Sequence, residues 1–392
     1  MEPQINLICF LLIGFSNYFG FFLMLSAAKS MMKGIAATST VLFCDILPKL
    51  LVKLIFPFIQ DKIKDLAYVL MIVSLSTVGY ILASFSFDNV FLGLSGVVLT
   101  STATGIGDVF VYGYTTRFST KAIGHYLSGT GLASLGSSLL YAFLVDVLNC
   151  NPKYVIYSFL ALPFLLLECF LITSEYHSPG QQAESKVLSP TGYEILNEQS
   201  TTAQPYTEAH GERGCLDTTS ATKEKFKALG KSSYMYASIF LATTGQYLIN
   251  QSVNPVIEFP DSSMRGKYFT FSQVACNLGA FMGKTSSSFF KIPRIIMFIP
   301  VSIDLLSVVL YSFQAVDYFI KEFWLLLFCG VVYGFCAGMT MSHSFYWVSV
   351  EQKPATKKFA LSGATLSSSF AVFVASILGF FYEDFLVDNK KW

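Results

Sequence analysis

Apolar runs long enough to cross a lipid bilayer as helices follow one another along almost the entire chain, and that succession leaves few folds open. A spanning helix needs about 20 predominantly apolar residues. Such runs lie near 5–28, 36–60, 66–86, 90–114, 123–148 and 154–173, and again near 234–253, 268–290, 292–314, 323–347 and 358–385. They are continuous rather than alternating, which points to helices and away from a β-barrel. From Ser174 to Ser232, by contrast, Gln, Ser, Thr, Glu, Pro and Lys dominate. A segment so poor in large aliphatic residues cannot bury enough surface to offset its ordering entropy. The expected architecture is an all-α polytopic membrane protein of about 11 transmembrane helices. It comprises an N-terminal six-helix bundle over 1–173, a disordered loop over 174–232 and a C-terminal five-helix bundle over 233–392.

Charged residues make up 13% of the chain, against roughly 25% in a soluble domain. Too little polar surface remains to coat a large soluble core, so the lipid bilayer is the expected surroundings. The net charge of +1 comes without a basic tract, and no nucleic-acid partner is expected. The eight cysteines include no Cys-x-x-Cys pair and mostly lie inside apolar runs, where a thiol behaves as a small hydrophobe. Neither a disulfide framework nor a metal site is expected. Ser26-Ala27-Ala28 could mimic a leader cleavage site. The first run, however, is of spanning length and has Glu2 and no Lys or Arg ahead of it, so a retained helix is preferred.

With the N-terminus in the cytosol, the short cytosolic connections hold nine Lys and Arg residues against eight on the other side. That is a narrow margin for the positive-inside rule. An odd helix count then sends the C-terminus to the lumenal or exterior side. The sequence also repeats itself. Gly96-Val97-Val98 and Gly330-Val331-Val332, Leu127-Ser128-Gly129 and Leu361-Ser362-Gly363, and Tyr112 and Tyr346 are each 234 residues apart. Asn17-Tyr18 stands against Gln246-Tyr247 at a slightly different spacing. Parallel six-helix repeats joined by a cytosolic loop are the architecture of the major facilitator class, here with the twelfth helix missing. The turn Asp61-Lys62-Ile63-Lys64 matches a fragment of that class's signature, although a charged turn is common at any cytosolic connection.

Gly279 and Gly283, Gly330, Gly334 and Gly338, and Gly129, Ala133 and Ser137 recur at the spacing that lets helix backbones approach closely in lipid. Gly105-x-Gly107 and Gly129-x-Gly131 do not lie between a soluble strand and a helix, so no nucleotide, nor any other cofactor, is expected. No Ser/His/Asp, Cys/His or metal-spaced cluster is present, and an enzyme is not expected. Asn250-Gln251-Ser252 is a glycosylation sequon placed within or at the end of a helix, where a glycan is not expected. Tyr193-Glu194-Ile195-Leu196 has the Tyr-x-x-bulky form read by sorting adaptors, a pattern short enough to arise by chance.

Ionisable groups inside a bilayer cost about 2.5–3.5 kcal/mol on insertion scales and need a partner or a watery cavity. Asp45 and Lys49 share a helix face. They form either a self-satisfied ion pair, with Lys53 snorkelling to the cytosol, or a charged patch on a central cavity. Asp108 either titrates during transport or is hydrogen-bonded to a neighbouring helix. Lys284 is a cavity cation or an end-of-helix cation. His343 is a proton relay or a satisfied packing residue. Asn17, Tyr18, Gln246, Tyr247, Asn250 and Gln251 give the first helix of each half a polar, aromatic stripe, for substrate or for helix pairing. Tyr346 joins the candidates through its repeat partner. Asp146, Glu168 and Asp304 lie nearer helix ends or lack an obvious partner and are assigned no part.

Several stretches together resemble the battenin family of lysosomal membrane proteins. They are Gly14-Phe15-Ser16-Asn17-Tyr18 with Met24-Leu25-Ser26-Ala27-Ala28, Asp45-Ile46-Leu47-Pro48, Ser128-Gly129-Thr130-Gly131, Tyr247-Leu248-Ile249-Asn250-Gln251 and Lys358-Phe359-Ala360. The resemblance implies a multi-pass protein of the lysosomal, vacuolar or late endosomal membrane, with an eleven-helix major-facilitator-like fold and a cytosolic N-terminus and central loop. It implies ties to lysosomal pH, basic amino-acid handling and glycerophosphodiester clearance. Asp108 stands where the family has Glu and keeps the carboxylate. Lys284 stands near a family Arg and loses the bidentate fork. Gln246 stands where relatives have Glu, which puts proton coupling there in doubt. The chain closes on Asn389-Lys390-Lys391-Trp392, where some relatives carry a prenylation motif, and the tyrosine signal stands in for an acidic dileucine signal.

The function expected from these features is secondary transport of a small polar or charged solute, a glycerophosphodiester or a basic amino acid. Asp45, Lys49 and Lys284 would hold substrate charge, and Asp108 and His343 would couple protons. The competing expectation is a non-transporting scaffold that acts on lysosomal pH and trafficking through partners of the central loop.

Overall fold

The computed structural model describes residues 4–32, 39–56, 63–85, 89–115, 117–118, 120–175, 227, 229–259 and 267–391. Every regular element among them is helical. The interior of the polar segment, with Tyr193 and Leu196, lies outside the described residues, as do Asp61 and Lys62.

Before the polar segment come α1 (Gln4–Met32), α2 (Ser39–Ile55), α3 (Asp65–Ser84), α4 (Val90–Thr115), α5 (Thr120–Tyr141), α6 (Pro152–Ser158) and α7 (Leu162–Glu175). After it come α8 (Ser233–Leu248), α9 (Tyr268–Phe289), α10 (Phe298–Asp317), α11 (Phe323–Glu351) and α12 (Pro354–Asp388). The sixth apolar run, read as one helix, is broken. Asn151 caps α6 by accepting the Lys153 amide, with Pro152 at the first helical position, and a turn at Phe159–Ala161 leads into α7. Two helices end in wide π-turns, α5 over Ala142–Val147 and α8 over Ile249–Val253. Such turns are frequent at functional sites.

Eight helical segments are long and apolar enough to span a bilayer. The helices α2, α8 and α9 fall outside that set, the first two on length and α9 on polarity. They still pack inside the bundle. These three carry Asp45, Lys49, Lys53, Gln246 and Lys284, polar residues of the interior.

The packing pairs follow the internal repeat. In the first half α1 lies on α5 and α4 on α2 and α3. In the second, α8 lies on α12 and α11 on α9 and α10. The halves meet where α5 packs on α9 and α12 packs on α2. Repeat-equivalent glycines explain the close pairs. A side chain at Gly129 would run into Leu11 of α1, and one at Gly363 would meet Leu229 and Tyr236 beside α8. The stripe Gly279/Gly283 faces Val331, Phe335 and Met339, while Gly334 and Gly338 face Cys276 and Ala280. Helix α9 and helix α11 are thus pressed backbone to backbone through small residues on both sides.

Each half is latched by an ion pair at the end from which the polar segment leaves. Arg117 forks onto Asp65, at 2.5 and 3.3 Å. Arg294 contacts both carboxylate oxygens of Glu351 at 3.2 Å. At the opposite end Lys391 reaches Asp317 at 2.6 Å.

A Gly279→Val substitution drives a branched side chain into the Val331 carbonyl. It is expected to cost about 1–3 kcal/mol and to lower the unfolding midpoint of the detergent-solubilised protein by several degrees. Gly124→Ala, with nothing within 4 Å of the added carbon, is expected to leave the midpoint unchanged or slightly raised.

Candidate functional site

Asp108 sits at the centre of the first half with none of its surface exposed. Its Oδ2 accepts from Tyr18 and pairs with the Lys53 ammonium, both at 2.6 Å. Its Oδ1 accepts from the Tyr126 hydroxyl at 2.8 Å and from the Asn17 amide at 3.4 Å. Donors from α1, α2 and α5 therefore converge on one carboxylate of α4. Glycines make the approach possible. A side chain at Gly107 would occupy the Asn17 amide, and one at Gly105 would press on the Lys49 backbone. Lys53 is buried and paired rather than snorkelling, and its ammonium also donates to Ser369 of α12 at 2.9 Å, so this cluster reaches across to the second half.

A chamber lies beside it, lined by Tyr18, Phe21, Phe22, Lys49, Lys53 and Thr130 from the first half and by Gln246, Tyr247, Asn277 and Lys284 from the second. It has about 50 Å³ of room for water, enough for a few molecules at most. The Lys49 ammonium lies 4.2 Å from the centres of the Tyr18 and Phe21 rings. The Lys284 ammonium lies 5.5 Å from the Phe22 ring and donates to Thr130 at 3.3 Å. Both cations are more than nine-tenths buried. Among the described residues neither has a carboxylate within ion-pairing distance. Ring faces offer a desolvated ammonium a partial substitute for water.

The Ser128-Gly129-Thr130-Gly131 stretch acquires a physical role here. Gly129 brings α5 against α1, Gly131 brings it against Phe281 and the Lys284 side chain, and Thr130 receives the Lys284 ammonium. Lys284 is a chamber cation, not an end-of-helix one. The spacing of 235 residues between Lys49 and Lys284 is one off the repeat spacing, a signal in the sequence itself that pairs the two lysines.

Asp45 and Lys49 are not the self-satisfied ion pair that their spacing allows. Lys49 leans toward the rings, and both Asp45 carboxylate oxygens are buried without a hydrogen-bond partner. The Ser101 hydroxyl donates to the Asp45 backbone carbonyl instead. Asp304, within α10 rather than near its end, is likewise buried with both oxygens unbonded.

The second half has its own cluster, without charge. Asn250 accepts from the Tyr333 hydroxyl at 2.7 Å and donates to the Cys276 sulfur at 3.2 Å. Gln246 donates to the same sulfur at 3.3 Å. The neighbouring Gln251 is buried with its amide oxygen unbonded. Tyr247 meets Phe21 edge to face across the chamber, centroids 6.4 Å apart.

His343 and Tyr346 are not brought to the chamber. His343 accepts the Ile292 amide on Nδ1 at 3.2 Å, which leaves Nε2–H to donate to Ser286 at 3.2 Å. That is a satisfied packing residue closing the α9 end. Tyr346 lines a separate vestibule of about 470 Å³ with Lys121, His125, Ser287 and Lys291. There the Lys291 ammonium lies 4.0 Å from the Tyr346 ring centre. Partial burial pulls the Lys291 ammonium below its usual range.

Removing the Asp108 charge leaves Lys53 buried and unpaired. Asp108→Asn is expected to destabilise the protein by about 3–5 kcal/mol. The double variant Asp108→Asn/Lys53→Met is expected to recover most of that loss, read as denaturation midpoints of the purified proteins.

The chain matches the family model described as CLN3 protein over residues 8–389. It is 28% identical over 393 residues to Protein BTN1 of Yarrowia lipolytica, covering 97% of this chain and 95% of that one. It is 26% identical to Protein BTN1 of Saccharomyces cerevisiae, covering 98% and 96%. Among solved structures, the POT family transporter PepTSo superposes with a TM-score of 0.64 at 12% identity, covering 99% of this chain and 96% of that one. A D-xylose–proton symporter superposes at 0.60 and 10% identity, covering 96% and 89%. A bacterial homologue of the human lysosomal transporter Spinster superposes at 0.53 and 12% identity, covering 96% and 82%. These likenesses place the fold with the major facilitator transporters. The chain is a multi-pass membrane protein and belongs to the CLN3 protein family, the battenin family that its motifs resemble.

Proposed function

We propose that this protein is a secondary transporter of the lysosomal or vacuolar membrane and that its cargo is a small polar anion, a phosphodiester such as a glycerophosphodiester rather than a basic amino acid. The observation that carries this reading is the pair of buried chamber lysines, Lys49 and Lys284, neither of which has a carboxylate within ion-pairing distance among the described residues. A cationic solute would add charge to a site already in surplus, whereas an anion would complete two charge-assisted contacts. The aromatic and amide groups around them, Tyr18, Phe21, Gln246 and Asn277, suit a polyol attached to that anion.

The chamber is too small for such a solute as it stands. Cargo enters when the halves part along α5/α9 and α2/α12, and the vestibule at Lys121 and Lys291 is its route at one end. We place the N-terminus and the polar segment in the cytosol and the C-terminus in the lumen, as the Lys and Arg count favours. Sorting adaptors would read Tyr193 and Leu196, and solute export would support lysosomal pH.

The test is flux in proteoliposomes with radiolabelled glycerophosphoglycerol and, separately, arginine. Wild type is expected to move the phosphodiester and not arginine. Lys49→Gln and Lys284→Gln are each expected to raise KM about tenfold or more, the scale of one charge-assisted hydrogen bond. Arginine flux alone would overturn the anion reading. Flux of neither solute would favour the scaffold.

A further inference from the structure

Burying an ionised carboxylate with no hydrogen bond is costly enough that such a group pairs, binds a cation or takes up a proton. Among the described residues three buried aspartates can be weighed against that rule. Asp108 has a lysine and three neutral donors and is satisfied as an anion. Asp304 has no bonded partner, and no charged group acts on it among the described residues; it does not line the chamber. Asp45 differs from both. It is 1% exposed and neither carboxylate oxygen is bonded, yet it lies one helical turn from Lys49, which does line the chamber.

Residues four apart on a helix bring their Cβ atoms within about 5–6 Å. The Lys49 side chain can therefore swing between the Asp45 carboxylate and the chamber without any backbone movement. In the present arrangement it is on the chamber side, over the Tyr18 and Phe21 rings. The other groups facing Asp45 are neutral, and of these the Ser101 hydroxyl is the polar one that bears on it. From its own helix Cys44 adjoins it, and from α8 Tyr247 faces it. From α4 the Ser101 hydroxyl is engaged with the Asp45 backbone carbonyl. From α12, Phe373 and Phe380 lie against Phe43 and Val372 packs beside Ile46. Among the described residues Lys49 is the one charged group that acts on Asp45.

We propose that Asp45 is the proton-binding group of the transport cycle, exchanging Lys49 for a proton when an anion occupies the chamber. In the present arrangement Lys49 holds its loaded position over the rings; in the resting state of the cycle it swings back to the Asp45 carboxylate and the pair is neutral. Loaded, the anion holds Lys49, and Asp45 takes one proton from the solution on the loading side. When the anion leaves, Lys49 reclaims the carboxylate and the proton departs on the same side as the anion. One proton thus accompanies each charge drawn onto Lys49, and a monoanion moves without net charge. An acidic lumen then drives the anion out toward the cytosol.

This mechanism rests on the anion reading above, and the experiment keeps the two apart. In proteoliposomes an imposed proton gradient is expected to drive accumulation of glycerophosphoglycerol by wild type, with no response to a membrane potential. Asp45→Asn is expected to lose gradient-driven accumulation at least tenfold and to show counterflow that no longer varies with pH. Asp45→Glu, which keeps a carboxyl group, is expected to retain coupling with a displaced pH midpoint. Gradient-driven accumulation by Asp45→Asn equal to wild type would overturn the proposal. If wild type shows no counterflow, the anion reading fails, and the proton site is judged without cargo. A pH titration of the purified protein by infrared difference spectroscopy is expected to show a protonated carboxyl band that is lost in Asp45→Asn. A band unchanged in that variant would overturn the assignment.

Discussion

The interior depends on one buried ion pair, Lys53 with Asp108. Two charges withdrawn from water repay their desolvation only when the geometry is tight and the remaining lone pairs are bonded. Both conditions hold here, through Tyr18, Tyr126 and Asn17 on the carboxylate and Ser369 on the ammonium. The arrangement fixes Tyr18 by its hydroxyl, and the face of the same ring carries Lys49. The position of a free cation in the chamber is thereby set by a satisfied anion next to it. Asp108 is better understood as the group that positions the chamber than as one that gives up its charge during a cycle.

The two halves share their packing scheme but not their polarity. The first is centred on a carboxylate and lysine, the second on Asn250, Gln246 and the Cys276 sulfur, all neutral. An uncharged cluster costs far less to rearrange than a charged one. It also lies in part on the π-turn Ile249–Val253, a segment whose backbone already departs from regular helix. The second half's polar cluster is thus the uncharged counterpart of the charged one in the first half. Lys49 and Lys284, one from each half, meet between them, so a ligand held by both would join the two halves.

Much of this was legible in the sequence, because the bilayer imposes length and apolarity on most spans and the repeat imposes matching glycines. The all-helical fold, the facilitator-like packing and the battenin resemblance all follow from such features. What escaped lies where polar chemistry overrides the pattern. Lys53 near a helix end suggests a snorkelling cation, and only the cross-helix distance reveals Asp108 as its partner. Asp45 and Lys49 at helical spacing suggest a closed pair, whereas the Tyr18 and Phe21 rings compete for the ammonium. His343 suggests proton chemistry in isolation, but the Ile292 amide and Ser286 use both ring nitrogens. Tyr126, Ser369 and Cys276 carry no signal of their own, since a hydroxyl or thiol in an apolar run is usually packing.

The two terminal latches have reversed polarity. In the first half the acid begins α3 and the base follows α4, Asp65 with Arg117. In the second the base precedes α10 and the acid ends α11, Arg294 with Glu351. Arg117 and Glu351 are separated by the repeat spacing of 234 residues, so they occupy the same place in the two halves. A polypeptide made of two look-alike bundles runs a hazard during synthesis, when a helix of one can dock in the slot meant for its twin. Exchanged partners would set Asp65 against Glu351 and Arg117 against Arg294, acid on acid and base on base. The reversal marks each bundle with its own electrical key and penalises the mistaken assembly.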